Sequence, residues 1–296
     1  MRFLSCVGVF KETEVDTYDS TPLAKLYISG EPLRESIIDF STATRTMSRL
    51  PDFFAQNGYK SPTDTLNGPF QFAEQTSMQY WDWLAQRPDY QHASNIIMGL
   101  QRRAPNKEWY YLYPIEQRFN ACSPSDLLVV DIGGGLGQEI IGLKQAHPQL
   151  KGRLILEDRP NVVDAAKEKL PPGIEIVGHD FFQPHPPDVH GAKAYYMRAV
   201  LHDWPDNKAR VILENITVMM TKDSVLLLEE RVLPDKSVGL LEAQLDWHMM
   251  VRFSSHERTK KQWVELLESV GLELLQIWER KTQVGGGDLI EAKIRA

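Results

Sequence analysis

Two stretches of the sequence carry residue types suited to chemistry. The first is Gly133-Gly134-Gly135-Leu136-Gly137, which follows the apolar run Leu127–Ile132 and precedes a segment with helical periodicity. Glycines let a backbone come close to a ligand, and a helix start offers unpaired N–H groups to an anion or nucleotide. A dinucleotide fingerprint needs the pattern G-x-G-x-x-G. Its third glycine falls on Gln138 counted from Gly133 and on Ile140 counted from Gly135, so neither register fits. A phosphate-binding P-loop needs Gly-Lys-Ser/Thr after four intervening residues and also meets Gln138. A nucleoside without a pyrophosphate remains. Asp158, at the end of the next predicted strand, is placed to take ribose hydroxyls. The competing reading is a tight turn beside a solvated acid. The second stretch is Arg198-Ala199-Val200-Leu201-His202-Asp203-Trp204, after another short apolar run. It places a histidine where parallel sheets bind ligands. Read alone, His-Asp-Trp is better explained as a helix-start cap with Trp204 in the core.

Taken in order, these stretches resemble a known family. Residues 130–137 resemble the first motif of class I S-adenosylmethionine-dependent methyltransferases, and specifically the plant caffeate and fungal small-molecule O-methyltransferases. Ile176-Val177-Gly178-His179-Asp180-Phe181-Phe182 resembles the adenine-side motif, and 198–204 the catalytic motif. Glu230-Arg231-Val232-Leu233-Pro234 and His256-Glu257-Arg258-Thr259 resemble two further signatures. The ordered set covers about 124–296. The resemblance implies S-adenosyl-L-methionine as cofactor. It places Gly133, Gly135 and Asp158 at the glycine loop and ribose side, Asp180 and Phe181 at the adenine, and Arg198 near the methionine half, with Asp131 a further cofactor-binding residue. The family often has Gly where His179 stands, and plant members often have Lys where Arg198 stands. Arginine keeps that charge but changes its geometry.

Methyl transfer from a sulfonium to an oxygen is a displacement, and the oxygen must lose its proton. A phenol titrates at about 10 and an unperturbed histidine at about 6.5, so full proton transfer costs roughly 5 kcal/mol. The sulfonium charge favours the oxyanion, and a carboxylate beside the histidine favours imidazolium. The resemblance makes His202 the general base, with Glu230 and Glu257 flanking and orienting it and Asp203 in support. The expected reaction is methylation of a phenolic hydroxyl on a small aromatic or secondary metabolite. Some fungal relatives of this fold keep the cofactor but catalyse dehydration or pericyclic ring formation, with its positive charge as electrostatic catalyst. That alternative stays open, as does a truncated cofactor-binding protein without catalysis. Intact His202, Glu230 and Glu257 favour methylation. Trp247, Met249 and Met250, with Asp246 and His248 on one predicted helix, are either substrate contacts or ordinary core. His179, His185 and His190 lie in a Pro-rich loop without cysteine or a metal-ligand spacing, so no metal is expected.

These residues need a scaffold, and the pattern after about residue 124 supplies one. Short apolar runs at 127–132, 153–157, 174–177, 194–197, 224–229, 272–280 and 288–294 alternate with helix-like segments at 138–147, 161–170, 206–220, 240–253 and 259–270. This predicts an α/β, Rossmann-like seven-stranded sheet with helices on both faces. Thr259 with Gln262 forms a capping-box signature, and Gly285-Gly286-Gly287 joins the last two strands. The preceding 1–123 read as a mostly helical region. Residues 4–10 resemble the last helix of a winged-helix dimerisation module and 11–22 its two-stranded wing. The earlier helices of that module are absent, which counts against a homodimer and predicts exposed Phe3, Leu4, Val7, Val9 and Phe10. Helices are predicted over 31–56, 70–83 and 90–102, with Pro88 separating the last two. Leu33, Ile37, Ile38, Phe40 and Met47 are candidate core positions of the first. Trp81, Trp83, Trp109, Tyr110, Tyr111 and Tyr113 suit a helical core better than an acceptor pocket.

Composition agrees. The 296 residues carry 33 Lys plus Arg against 40 Asp plus Glu, a net charge of −7. That balance disfavours a phosphate backbone, and Arg102, Arg103 and Lys107 are too few for a nucleic-acid patch. Hydrophobic residues at 42% exclude a disordered chain. No apolar run is long enough for a membrane span, and no cleavable leader is evident. Two cysteines, Cys6 and Cys122, fit a reducing cytoplasm.

Overall fold

A computed structural model describes residues 1–28, 30–100, 108–119, 123–280 and 287–295. Arg102, Arg103, Lys107, Cys122, Gly285 and Gly286 lie outside the described residues. The chain divides into two compact units, one of Met1–Arg102 with Val251–Phe253 and one of Arg103–Met250 with Ser254–Ala296.

In the first unit, α1 (Arg2–Cys6) leads into an antiparallel hairpin of β1 (Phe10–Glu14) and β2 (Thr17–Ser20). The expected wing is therefore a hairpin, and its likeness to a winged-helix module rests on sequence alone. The helix before it stops at Cys6 rather than running to Phe10, because Gly8 takes a left-handed φ of 78° and Phe10 starts the strand. Phe3, Leu4 and Val7 are exposed, whereas Val9 is buried.

Then follow α2 (Pro32–Asn57), α3 (Pro69–Glu74), α4 (Tyr80–Ala85) and α5 (Pro88–Leu100). The single helix expected over 70–83 is two, since Gln75 adopts a left-handed φ of 51°. Pro88 is the first residue of α5, where a missing N–H costs nothing. The core face of α2 differs from the apolar pattern. Ile37 and Phe40 are exposed and Leu33, Ile38 and Met47 half-buried, while Glu35, Asp39, Thr42 and Thr46 are buried. Each of those residues has a polar partner. Glu35 Oε1 accepts from Gly30 N at 2.9 Å and pairs with Arg34. Asp39 pairs with Arg252 at 3.1 Å. The two threonine hydroxyls donate to carbonyls of the preceding turn.

The second unit opens with α6 (Trp109–Leu112) and α7 (Ile115–Phe119). Its sheet uses β3 (Leu127–Ile132), β4 (Arg153–Asp158), β5 (Glu175–Gly178), β6 (Ala194–Arg198) and β7 (Val225–Glu230). Helices α8 (Gln138–Ala146), α9 (Pro160–Ala166) and α10 (Asp206–Met219) alternate with them. Short β8 (Val232–Leu233), helix α11 (Leu240–Phe253), short β9 (Arg258–Thr259) and α12 (Lys260–Glu268) precede the hairpin β10 (Leu272–Trp278) and β11 (Asp288–Ile294). The seven-stranded order is β10-β11-β7-β6-β3-β4-β5. The five strands from β3 to β7 are parallel, and β11 inserts antiparallel between β7 and β10. Every residue of β3 is buried, as a central parallel strand requires. Trp109 stacks on Tyr196 at 4.6 Å, so these aromatics build core; Trp83, Tyr110 and Tyr113 are also buried, while Tyr111 is 49% exposed. Thr259 and Gln262 cap α12 reciprocally at 3.3 and 2.8 Å.

Candidate active site

Because β3 to β7 are parallel, the loops that follow them gather at one sheet edge. The glycine loop leaves β3 there. Gly133 N and Gly134 N donate to the Glu157 carbonyl at 2.8 and 3.3 Å, which ties the loop to β4. Gly135 has a left-handed φ of 60° and donates its N–H to Asp158 Oδ2 at 2.8 Å. Gly134 is a glycine for another reason: a Cβ there would sit 2.5 Å from Leu156 and 2.6 Å from the Asp131 carboxyl carbon.

The donor set suits S-adenosylmethionine. Asp131 is buried at the end of β3, and its Oδ2 has no hydrogen-bond partner. Burial first, then the Glu139 and Asp158 charges, hold its carboxyl well above the usual range. A buried acceptor with an unmet lone pair fits an ammonium group. Asp158 is also raised, chiefly by burial, against the N–H bonds from Gly135 and Arg159. No atom crowds the Cβ direction of Gly135. Phe181 lies 3.9 Å from the Cβ direction of Gly133, so the adenine-side motif adjoins the loop. Asp180 is exposed and accepts from Phe182 N at 3.0 Å. Arg198 is paired with Glu229 at 3.2 Å and with Glu139 at 3.7 Å.

His202 stands on a single 3-10 turn, Leu201–Asp203, just past β6. Its Nδ1 is 3.0 Å from Glu257 Oε1. A carboxylate only accepts, so Nδ1 carries a proton in either charge state, and it is Nε2 that gains or loses one. Glu230 Oε2 is 3.9 Å from Nδ1, beyond hydrogen-bond reach. Glu230 instead accepts from Val200 N at 3.0 Å and Leu201 N at 2.8 Å, and so holds the turn. Asp203 Oδ1 lies 3.5 Å from Nε2. Burial opposes an imidazolium, but the charges of Glu257, Glu230 and Asp203 outweigh it and push His202 up to about 10. The carboxylates divide. Glu230 is raised, mainly by burial, whereas His202 pulls Glu257 below its ordinary value in spite of burial. One imidazolium is thus balanced by one carboxylate.

On α11, Trp247 is 44% exposed, Met249 is buried and Met250 half-buried. His185 is buried and its Nδ1 lies 3.0 Å from the Glu157 carboxylate, while His190 Nε2 is 3.3 Å from the His185 carbonyl. Sequence reasoning gave no positioning role to three groups. Asp246 Oδ1 accepts from Glu257 N at 2.8 Å. Glu229 accepts from the Tyr196 hydroxyl at 2.8 Å and from both Nη atoms of Arg280, at 2.8 and 2.9 Å. Arg258 is wholly buried against the His202 turn. The Glu229-Glu230 doublet closing an apolar strand was the legible signal for one of them.

The sequence profile of the O-methyltransferase domain family matches residues 121–273. The chain is 35% identical to the O-methyltransferase penC of Penicillium thymicola over 99% of this chain and 73% of that protein. It is 32% identical to the demethylsterigmatocystin 6-O-methyltransferase of Aspergillus parasiticus over 96% of this chain and 72% of that one. Among solved structures, OxaC with S-adenosylhomocysteine and oxaline superimposes with a TM-score of 0.85 at 28% identity, over 100% of this chain and 74% of that one. A structure of LepI with S-adenosylmethionine gives 0.85 at 30% identity, over 99% and 75%.

Proposed function

This chain belongs to the O-methyltransferase family, and from that premise we propose how it acts and on what. It is an S-adenosylmethionine-dependent O-methyltransferase of secondary metabolism, and the reading added here is a phenolic acceptor with His202 as general base. Bound S-adenosylmethionine supplies a methyl group on a positively charged sulfur. Gly133, Gly135, Asp131 and Asp158 would hold it, with Asp180 and Phe181 on the adenine side and Arg198 toward the methionine half. His202 Nε2 takes the proton of the acceptor hydroxyl as its oxygen attacks, and Glu257 steadies the imidazolium through Nδ1. Glu230 keeps the turn in place, and Asp203 lies beside Nε2.

The observation that carries this reading is the 3.0 Å pairing of His202 Nδ1 with Glu257. A histidine raised to about 10 matches a phenol of about 10, so the roughly 5 kcal/mol penalty for an ordinary histidine largely disappears. The positive charge of a bound sulfonium would oppose the imidazolium and favour the phenolate. The aromatic acceptor, Trp247, Met249 and Met250 as its contacts, a 1–123 region followed by a 124–296 catalytic domain, and a cytoplasmic location belong to the same reading.

The test is transfer of labelled methyl to a panel of phenols and matched aliphatic alcohols, with S-adenosylhomocysteine quantified. Transfer to a phenol with one S-adenosylhomocysteine released per product is expected. Transfer to aliphatic alcohols alone would remove the phenolic acceptor. A second reading has one specific support, the likeness to a solved chain described as a pericyclic reaction enzyme, at 30% identity and a TM-score of 0.85. Its sign would be product formed with no S-adenosylhomocysteine released.

A further inference from the structure

We propose that Arg258 is a positioning residue, a clamp that fixes the His202 turn to the segment bearing Glu257 and so sets the base in register. The proposal rests on the assignment of His202 as base. Arg258 is 0% exposed, unusual for an arginine, and its donors are directed at the turn. Nη1 donates to the Leu201 carbonyl at 2.9 Å, and Nη2 donates to the Trp204 carbonyl at 2.7 Å. These carbonyls bracket His202 and Asp203. Nε donates to Asp206 Oδ1 at 2.9 Å, at the start of α10. The guanidinium carbon lies 5.2 Å from the Trp263 ring centre on α12. One rigid planar group therefore fixes both ends of the turn and the beginning of the next helix.

The neighbour of Arg258 in sequence is Glu257, so the clamp and the carboxylate move together. Glu257 is fixed from its other side by Asp246, which accepts from its N–H. The turn is fixed at its amides by Glu230 and at its carbonyls by Arg258. The 3.0 Å distance from Glu257 to His202 is therefore set by Arg258 and Glu230 together. Lysine cannot replace this, because a single ammonium does not span two carbonyls and a carboxylate in one plane. A shift of about 1 Å in a positioned group can cost about 10²-fold in rate.

The test compares wild type, Arg258→Lys and the milder Asp206→Asn, which keeps both carbonyl bonds. His202 is titrated by NMR with S-adenosylhomocysteine present, cofactor affinity is measured by calorimetry, and kcat and KM are measured on the phenol that wild type methylates fastest. In Arg258→Lys, kcat is expected to fall about 10²-fold with S-adenosylhomocysteine affinity unchanged. The His202 titration should move to lower pH as Glu257 draws away. Asp206→Asn should show the same changes, smaller. An Arg258→Lys chain that binds S-adenosylhomocysteine but keeps the wild-type His202 titration overturns the clamp. If Arg258→Lys does not fold, an unchanged titration and kcat in Asp206→Asn does the same. If wild type methylates no phenol, the functional reading fails, while the NMR titration still decides the clamp.

Discussion

His202 has two carboxylates beside it, and they do different work. Glu257 bonds Nδ1; Glu230 bonds the amides of Val200 and Leu201. Glu257→Gln removes the charge that most raises His202, so the rising limb of the pH–rate profile should move to lower pH. We expect kcat to fall about 10²-fold, read from methyl transfer at several pH values. Glu230→Gln keeps an oxygen for the two amides, so it should lose much less activity than Glu230→Ala. Equal losses in the two variants would refute the anchoring role. The sequence reading named these acids through their motifs. It did not divide their roles, because that depends on a 3.9 Å against a 3.0 Å separation that spacing along the chain does not encode. Arg258 was quoted within a motif yet given no role, since burial of an arginine is invisible in sequence.

At the scale of elements, strands were easier to read than the first long helix. All seven strands of the sheet lie where short apolar runs place them; in the central β3, β6 and β7, residues buried on both faces leave a continuous apolar signal. In α2 the apolar stripe pointed to the wrong face. Acids and threonines with polar partners took much of that face instead, and no apolar count anticipates a buried Asp39–Arg252 pair. Asp39→Ala leaves that guanidinium buried without its carboxylate. It should cost about 3–5 kcal/mol in denaturant unfolding. The glycine loop offers the matching test in the sheet. A Cβ on Gly134 meets Leu156 and Asp131, so Gly134→Ala should destabilise by about 1–3 kcal/mol and weaken S-adenosylhomocysteine binding, measured by calorimetry. Unchanged affinity would mean that Asp131 is not a cofactor ligand.

Across the whole molecule, the parallel sheet does what the sequence order conceals. It draws the segments around 131–137, 158, 181, 198–206 and 230 to one edge, and the loop carrying Glu257 joins them. Among the described residues no helix is long and apolar enough to cross a membrane. The buried ion cluster also ties global stability to pH. A His202 raised from about 6.5 to about 10 on folding stabilises fully below about pH 6.5, and that contribution is lost as pH rises through about 10. The wild-type Tm should therefore decline across this window more than that of His202→Ala.

In the proposed reaction His202 removes the acceptor proton while methyl moves to oxygen. Single-turnover transfer of labelled methyl from S-adenosylmethionine to a phenolic acceptor, comparing wild type with His202→Ala at equal cofactor occupancy, tests that role. The transfer rate should fall about 10²–10⁴-fold in His202→Ala, with cofactor affinity intact. A His202→Ala enzyme that transfers methyl at the wild-type rate would contradict it.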